Sequence, residues 1–179
     1  MNIGVDLDDT LCDTKKVFLK YLNNYLFENK IDYFEWYSNF RFKERFYKKY
    51  LSIINNEVQI NDGAKETIEY LRNKGCHIYI ITNRSNKYGE DIYLEIKKYL
   101  FDNGIVVNEI FLVDDNKVRA CLEHNIEYMI DDNKEICDEL SSNGIKVICF
   151  GDLNETANSN YISVDSWHDV KKFFECKLK

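Results

Sequence analysis

Proline is absent from this 179-residue sequence, and glycine occurs only seven times. Chain reversals and helix ends therefore fall to a few glycines and to asparagine, and no proline-rich or glycine-rich linker divides the chain. No stretch approaches the roughly 18 apolar residues that a membrane helix needs. The amino terminus, Met1-Asn2-Ile3-Gly4-Val5-Asp6, has neither a basic segment nor a long apolar core. No secretory signal is expected from it, and the cytoplasm is the expected compartment. No Cys-x-x-Cys pair occurs among Cys12, Cys76, Cys121, Cys137, Cys149 and Cys176, and His77 and His124 show no zinc spacing. Cys76 and Cys149 lie in apolar, strand-like runs, so buried reduced thiols are expected rather than a disulfide scaffold.

What is present is enough for a packed core: 45% of the residues are hydrophobic. The length suits one domain with a modest insert. A net charge of −7 argues against a general partner for nucleic-acid polymers. The charge is uneven, however. Residues 14–50 carry nine Lys or Arg and four acids, a local +5 that leaves −12 elsewhere, and thirteen aromatics fall between Phe18 and Tyr50.

Short apolar runs alternate with helical patterns. Asn2 to Leu7, His77 to Ile81, Glu109 to Val113, Ile126 to Ile130 and Ile145 to Phe150 read as strands. Ala64, Ile68 and Leu71, then Ile92, Ile96 and Leu100, then Ile136 and Leu140, recur at helical spacing. Gly75, Gly104 and Gly144 each close a helical pattern and precede a strand. The repeated order strand, helix, glycine, strand predicts an α/β fold with a parallel sheet covered by helices on both faces. Its active site is expected at the carboxyl ends of the strands. Residues 14–60 break the rhythm with two helical patterns, and the stretch from Asp32 to Asn39 between them reads as a loop carrying Phe34, Trp36 and Tyr37. The expected division is a core of residues 1–13 and 61–179 with a helical insert at 14–60.

The strongest chemical signal is Val5-Asp6-Leu7-Asp8-Asp9-Thr10-Leu11. An apolar strand ends in three carboxylates, whose mutual repulsion calls for a cation. A hard, oxygen-liganded ion such as Mg2+ is the natural answer. A solvated turn explains a lone Asp-Asp but not this whole string. Three further signals follow: Ile80-Ile81-Thr82-Asn83-Arg84 at a strand end, Lys117 at the start of a helical pattern, and Ile130-Asp131-Asp132 after the next strand.

Asp6-x-Asp8-x-Thr10 resembles motif I of the haloacid dehalogenase superfamily, and Thr82, Lys117 and Asp131-Asp132 resemble its other three motifs, in order, from Met1 to about Phe150. The resemblance implies a Rossmann-like core and the following roles. Asp6 is the nucleophile that takes a phosphoryl group, and Asp8 the general acid and base. Thr82 and Lys117 hold and neutralise the phosphoryl group. Asp6, the Asp8 backbone carbonyl and Asp131 bind Mg2+. Asp132, Thr10, Asn83 and Arg84 support the metal or the phosphate, with Arg84 facing either substrate or solvent. Asp114-Asp115 competes with the second pair but precedes the lysine. Residues 14–60 become a cap over the site, most of whose rings form its own core, with Phe34, Trp36 and Tyr37 as candidates for substrate contact.

The branch most resembled is that of 5′(3′)-deoxyribonucleotidase-like nucleotidases. The implied activity is Mg2+-dependent hydrolysis of a small phosphate monoester, a nucleoside monophosphate being the candidate, through an aspartyl-phosphate. A sugar-phosphate phosphatase or a phosphomutase is the alternative inside the superfamily. Outside enzymes, a receiver-type phosphoacceptor would carry its aspartate on the third strand and lack the aromatic insert. A silent binding protein would have no use for an intact set of Asp6, Asp8, Thr82, Lys117 and Asp131.

Overall fold

A computed structural model describes residues 1–85, 91–114, 116–151 and 161–178. Asp115, the rival acid beside Asp114, lies outside the described residues. In chain order the elements are β1 (Asn2–Val5), α1 (Thr14–Asn29), α2 (Tyr33–Ser38), α3 (Phe40–Glu57), α4 (Ala64–Asn73), β2 (His77–Thr82), α5 (Ile92–Asp102), β3 (Glu109–Leu112), α6 (Lys117–Glu123), β4 (Tyr128–Asp131), α7 (Lys134–Ser142), β5 (Lys146–Phe150), β6 (Ile162–Val164) and α8 (Trp167–Lys177).

The six strands form one parallel sheet in the order β3-β2-β1-β4-β5-β6. The expectation of a parallel α/β sheet is met. Strand side chains alternate between two apolar clusters, as a pleated strand requires. Ile78 and Ile80 of β2, with Tyr128 and Ile130 of β4, join the cluster that holds α4, α5 and α8. Ile81 and Met129 join the cluster of α6 and α7. The central strand has little room above it. A Cβ built on Gly4 would stand 2.6 Å from Met129 Sδ and 3.0 Å from Ile81 Cδ1, so glycine here permits close packing.

Three details differ from the sequence reading. The stretch from Asp32 to Asn39 is not a loop: α2 forms there, because the Asp32 side chain accepts a hydrogen bond from the Glu35 backbone N–H at 2.8 Å. The spacing Asp32-x-x-Glu35 is a helix-start signature. Strands β1 and β3 are also shorter at the catalytic end than the apolar runs suggested, ending at Val5 and Leu112, whereas β2 and β4 run one residue further, to Thr82 and Asp131. Finally, β6 and α8 extend the sheet and its covering layer. Trp167, Val170 and Phe174 of α8 are completely buried against α4 and the sheet.

Helices α1, α2 and α3 leave the sheet between β1 and α4, and α3 packs on both α1 and α2. Phe18, Tyr25, Trp36, Phe46, Tyr47 and Tyr50 share one ring cluster, with Phe46 at its centre 5.3–5.6 Å from Phe18, Tyr25, Trp36, Tyr47 and Tyr50. Edge-to-face rings of this kind pack a small helical unit that has no sheet of its own. All six cysteines are free thiols. Among the described residues no helix is long and apolar enough to cross a membrane.

Candidate active site

Strand order reverses direction at β1 and β4, which lie side by side at the centre of the sheet. Loops leaving such neighbours go to opposite faces, so a crevice opens at their carboxyl ends. Asp6 follows β1, and its backbone N–H donates to the Ile130 carbonyl of β4 at 2.9 Å. Asp131 is the last residue of β4. The register Val5 to Ile130 thus sets two buried carboxylates next to each other, although 125 positions separate them in the chain.

Lys117 joins them. It is the first residue of α6, behind an Asn116 cap whose side chain accepts from Arg119 N. Its Nζ donates to Asp6 Oδ1 at 2.5 Å and to Asp131 Oδ2 at 2.7 Å, and the residue is only 5% exposed. Burial alone would push this ammonium down, but the Asp6 and Asp131 charges outweigh it and hold it above the ordinary lysine range. Burial drives the Asp6 carboxyl well above the usual carboxylate range. Lys117 opposes the shift, while Asp131 and Asp8 add to it.

Asp132 completes the group. A carboxylate oxygen from each of Asp6, Asp131 and Asp132 lies within 4.8 Å of the others. Asp132 Oδ1 accepts from the buried Thr10 hydroxyl at 3.1 Å. Burial and the Asp131 charge push the Asp132 carboxyl up to about 6. Asp131 Oδ1 accepts the Asn133 backbone N–H at 3.0 Å, and the Asp131 carbonyl accepts from Cys137 Sγ at 3.4 Å. Lys117 thus bridges two of the three carboxylates, and Asp132 lies beside them on the Thr10 hydroxyl. This hard-oxygen donor set, short of positive charge, fits a divalent cation.

Asp8 stands apart from that group. Arg84 holds its carboxylate at two points, Nη2 to Oδ1 at 2.6 Å and Nε to Oδ2 at 2.9 Å. The Thr14 hydroxyl donates to Oδ1 at 2.6 Å. Burial would raise Asp8, but the Arg84 charge and the hydrogen bonds from Arg84 and Thr14 outweigh it, leaving the carboxyl below its usual range.

One cleft of about 590 Å³ gathers Asp6, Asp8, Thr82, Asn83, Arg84, Lys117, Asp131 and Asp132 in its lining. Thr82 is buried at the end of β2, its hydroxyl accepting the Arg84 backbone N–H at 3.3 Å, and Asn83 is exposed. Thr10 sits behind the cleft rather than in it. Arg84 lines the cleft but is paired with Asp8, its side chain 20% exposed.

The three aromatic candidates fare differently. Trp36 is 3% exposed and enclosed by Phe18, Tyr33, Phe46 and Tyr47, so it offers no open face to a ligand. Phe34 and Tyr37 are exposed but line neither cavity that reaches Asp8.

Several residues of the site had not stood out in the sequence. Thr14 has a faint signal, lying one turn past the acidic string. Asn55 and Trp167 have none: the Trp167 indole N–H donates to the Thr10 carbonyl at 2.9 Å across 157 positions. A second cavity, of about 240 Å³, shares Asp8 and Arg84 with the cleft, and Phe18, Tyr47, Leu51 and Ile54 form its wall.

A doubly wound parallel sheet with a lysine-bridged carboxylate centre at its switch point is the architecture of α/β enzymes whose site lies at the carboxyl ends of the strands. The family model of haloacid dehalogenase-like hydrolases matches residues 52–177, and the chain belongs to that family. That match includes Thr82, Lys117 and Asp131 but not Asp6 or Asp8. A protein of Oceanobacillus iheyensis named "Putative nucleotidase" is 25% identical over 194 aligned residues, spanning 99% of this chain and 100% of its own. A "predicted phosphatase" from Clostridium acetobutylicum superposes with a TM-score of 0.71 at 20% identity, covering 97% of each chain. A "putative beta-phosphoglucomutase" from Thermotoga maritima superposes with a TM-score of 0.69 at 12% identity, covering 97% of this chain and 98% of the other. The expectation of a hydrolytic enzyme from this superfamily is met.

Proposed function

We propose that this chain is a Mg2+-dependent phosphomonoester hydrolase that works through an aspartyl-phosphate on Asp6. The observation that carries the reading is Lys117, bound at once to Asp6 and Asp131 with a third carboxylate, Asp132, in reach. A carboxylate attacking a phosphate dianion needs positive charge between the partners; Lys117 supplies one charge, and the carboxylates would hold the cation that supplies the rest. Asp6, Asp131 and Asp132, with the Asp8 carbonyl as the family resemblance implies, would hold the cation. When bound, Mg2+ supplies neutralisation of phosphoryl charge that one lysine cannot provide alone.

The side chains then divide the work. Asp6 attacks phosphorus, and the bond to the ester oxygen breaks. Asp8, entering the step protonated, gives that oxygen its proton and is left as the carboxylate that Arg84 and Thr14 hold. Asp8 next takes a proton from water, which attacks the acyl phosphate and returns Asp6 with release of inorganic phosphate. Lys117 and Thr82 steady the phosphoryl oxygens. Helices α1 to α3, within residues 14–60, serve as the cap.

The substrate reading is a nucleoside monophosphate. The Oceanobacillus relative carries a nucleotidase name. The cavity next to Asp8 is walled by Phe18, Tyr47, Leu51 and Ile54, which suits a flat, largely apolar leaving group better than a polyhydroxylated sugar. A sugar-phosphate phosphatase or a phosphomutase is the second reading, favoured by the Thermotoga neighbour. The deciding experiment is a panel of nucleotide, sugar and simple phosphate monoesters, with and without Mg2+. Metal-dependent release of phosphate, with nucleotides preferred, is expected, and Asp6→Asn abolishes it. Activity that survives exhaustive chelation, or survives in Asp6→Asn, rejects the mechanism. Preference for sugar phosphates rejects the nucleotidase reading alone.

A further inference from the structure

The Asp8 side chain leaves a hydrogen-bonded turn in which the Asp9 backbone N–H donates to the Cys12 carbonyl at 2.7 Å and Asp9 adopts a left-handed φ of 58°. The carboxylate itself is held from two sides, by the helical insert and by the core. Thr14, the first residue of α1, donates to Asp8 Oδ1. Arg84 applies the Nε and Nη2 edge of its guanidinium to both carboxylate oxygens. That edge is the one a planar fork uses to grip an anion, so Asp8 occupies the place a phosphate would take. Arg84 is held in turn. Its Nη1 donates to Asn55 Oδ1 at 3.3 Å, and Asn55 Nδ2 donates to Glu95 Oε2 of α5 at 2.9 Å. Asn55 lies near the end of α3, so both ends of the insert close on one carboxylate.

We propose that Asn55 is a positioning residue: through Arg84 it fixes the direction of the Asp8 carboxylate, so Asp8 is aimed only while the insert is seated on the core. The inference rests on the reading of Asp8 as the group that moves protons. It assigns Arg84 to Asp8 rather than to the substrate phosphate, and gives a function to an asparagine with no link to the motifs.

A double-mutant cycle with Asp8 tests it, read as kcat and KM for one alkyl phosphate monoester in saturating Mg2+. Asn55→Ala and Arg84→Lys are expected to lower kcat on the order of ten- to hundredfold with KM nearly unchanged, as misplacement of a reacting group does. In an Asp8→Asn background the same substitutions should cost less than about twofold, because residues that act through one group are not additive. If turnover in that background is too slow to divide, phosphoenzyme formation from 4-nitrophenyl phosphate is measured instead. Its phenolate leaves without a proton, so Asn55→Ala should leave this step at the wild-type rate. A rise in KM at constant kcat, additive losses beside Asp8→Asn, or slowed phosphoenzyme formation from the nitrophenyl ester would each overturn the assignment. A fully active Asp8→Asn protein would instead reject the mechanism itself, which keeps the two failures apart.

Discussion

Arg84 and Asp8, 76 positions apart in the chain, meet in a two-point ion pair with contacts of 2.6 and 2.9 Å. Lys117 makes the matching bridge between Asp6 and Asp131. Each of the two cations is thus committed to carboxylates before any phosphate arrives. The cleft holds two separate ion-paired centres, one on Asp8 and one on Asp6 and Asp131.

Metal binding should depend on pH with a definite sign. The Asp132 carboxyl, pushed up to about 6 by burial and the Asp131 charge, has a folded value above its unfolded one. Its contribution to stability is present below the unfolded value, near 4, and is lost as pH rises through the folded value. A divalent cation replaces the lost protons. Mg2+ at saturation should therefore raise Tm by about 5 °C or more at pH 7.5, and clearly less at pH 5. Differential scanning calorimetry at both pH values checks this, and an equal rise at both contradicts it.

Removing the buried ammonium should cost more than activity. Lys117→Met leaves Asp6 and Asp131 uncompensated in a site where Lys117 is 5% exposed and Asp131 fully buried. Breaking a buried charge cluster in this way typically costs about 3–5 kcal/mol. Urea unfolding of the metal-free variant measures the loss. Added Mg2+ should recover part of the stability without restoring turnover.

Selectivity should reside in the inner wall of the insert rather than at its outer rings. Phe18→Ala and Tyr47→Ala should lower kcat/KM for a nucleoside monophosphate by roughly five- to hundredfold, as expected for a lost ring contact of about 1–3 kcal/mol. A small generic ester should be nearly unaffected, and Phe34→Ala should be silent on both. Equal losses on both esters would mean that Phe18 and Tyr47 only pack the insert.

The motif I turn should respond to a residue on the last helix. Trp167 donates to the Thr10 carbonyl at 2.9 Å, and Asn61 donates to the same oxygen at 2.8 Å. Trp167→Phe keeps most of the packing and removes one of two donors to that oxygen, a loss of about 0.5–1.5 kcal/mol because Asn61 still satisfies it. Thermal unfolding reads the stability. Because Thr10 also binds Asp132, the apparent affinity for Mg2+ should weaken as well. A variant with lower Tm and unchanged Mg2+ affinity would show that Trp167 supports the fold alone.

The chain's local chemistry determined a great deal on its own. Alternating apolar runs and helical spacings, closed by glycines, dictate a parallel α/β sheet because burial on both faces leaves few other arrangements. Acids placed where strands stop are legible for a similar reason: Asp6-x-Asp8, Thr82 and Asp131-Asp132 each follow an apolar run, and the crevice forms at those ends. The short strand β6 and helix α8 were less visible, since three strand residues give too little period to recognise. The partnerships were not legible at all. Arg84 reads equally as a solvent or phosphate residue until the fold sets it against Asp8. Trp36 reads as a ligand platform until α2 turns it into the ring cluster, while Phe18 and Tyr47 become cavity wall. Asn55 and Trp167 carry no local mark of their roles. Sequence spacing fixes neighbours along one helix or strand, whereas these contacts join elements 10 to 157 positions apart. Only the packing of the insert and α8 on the sheet decided them.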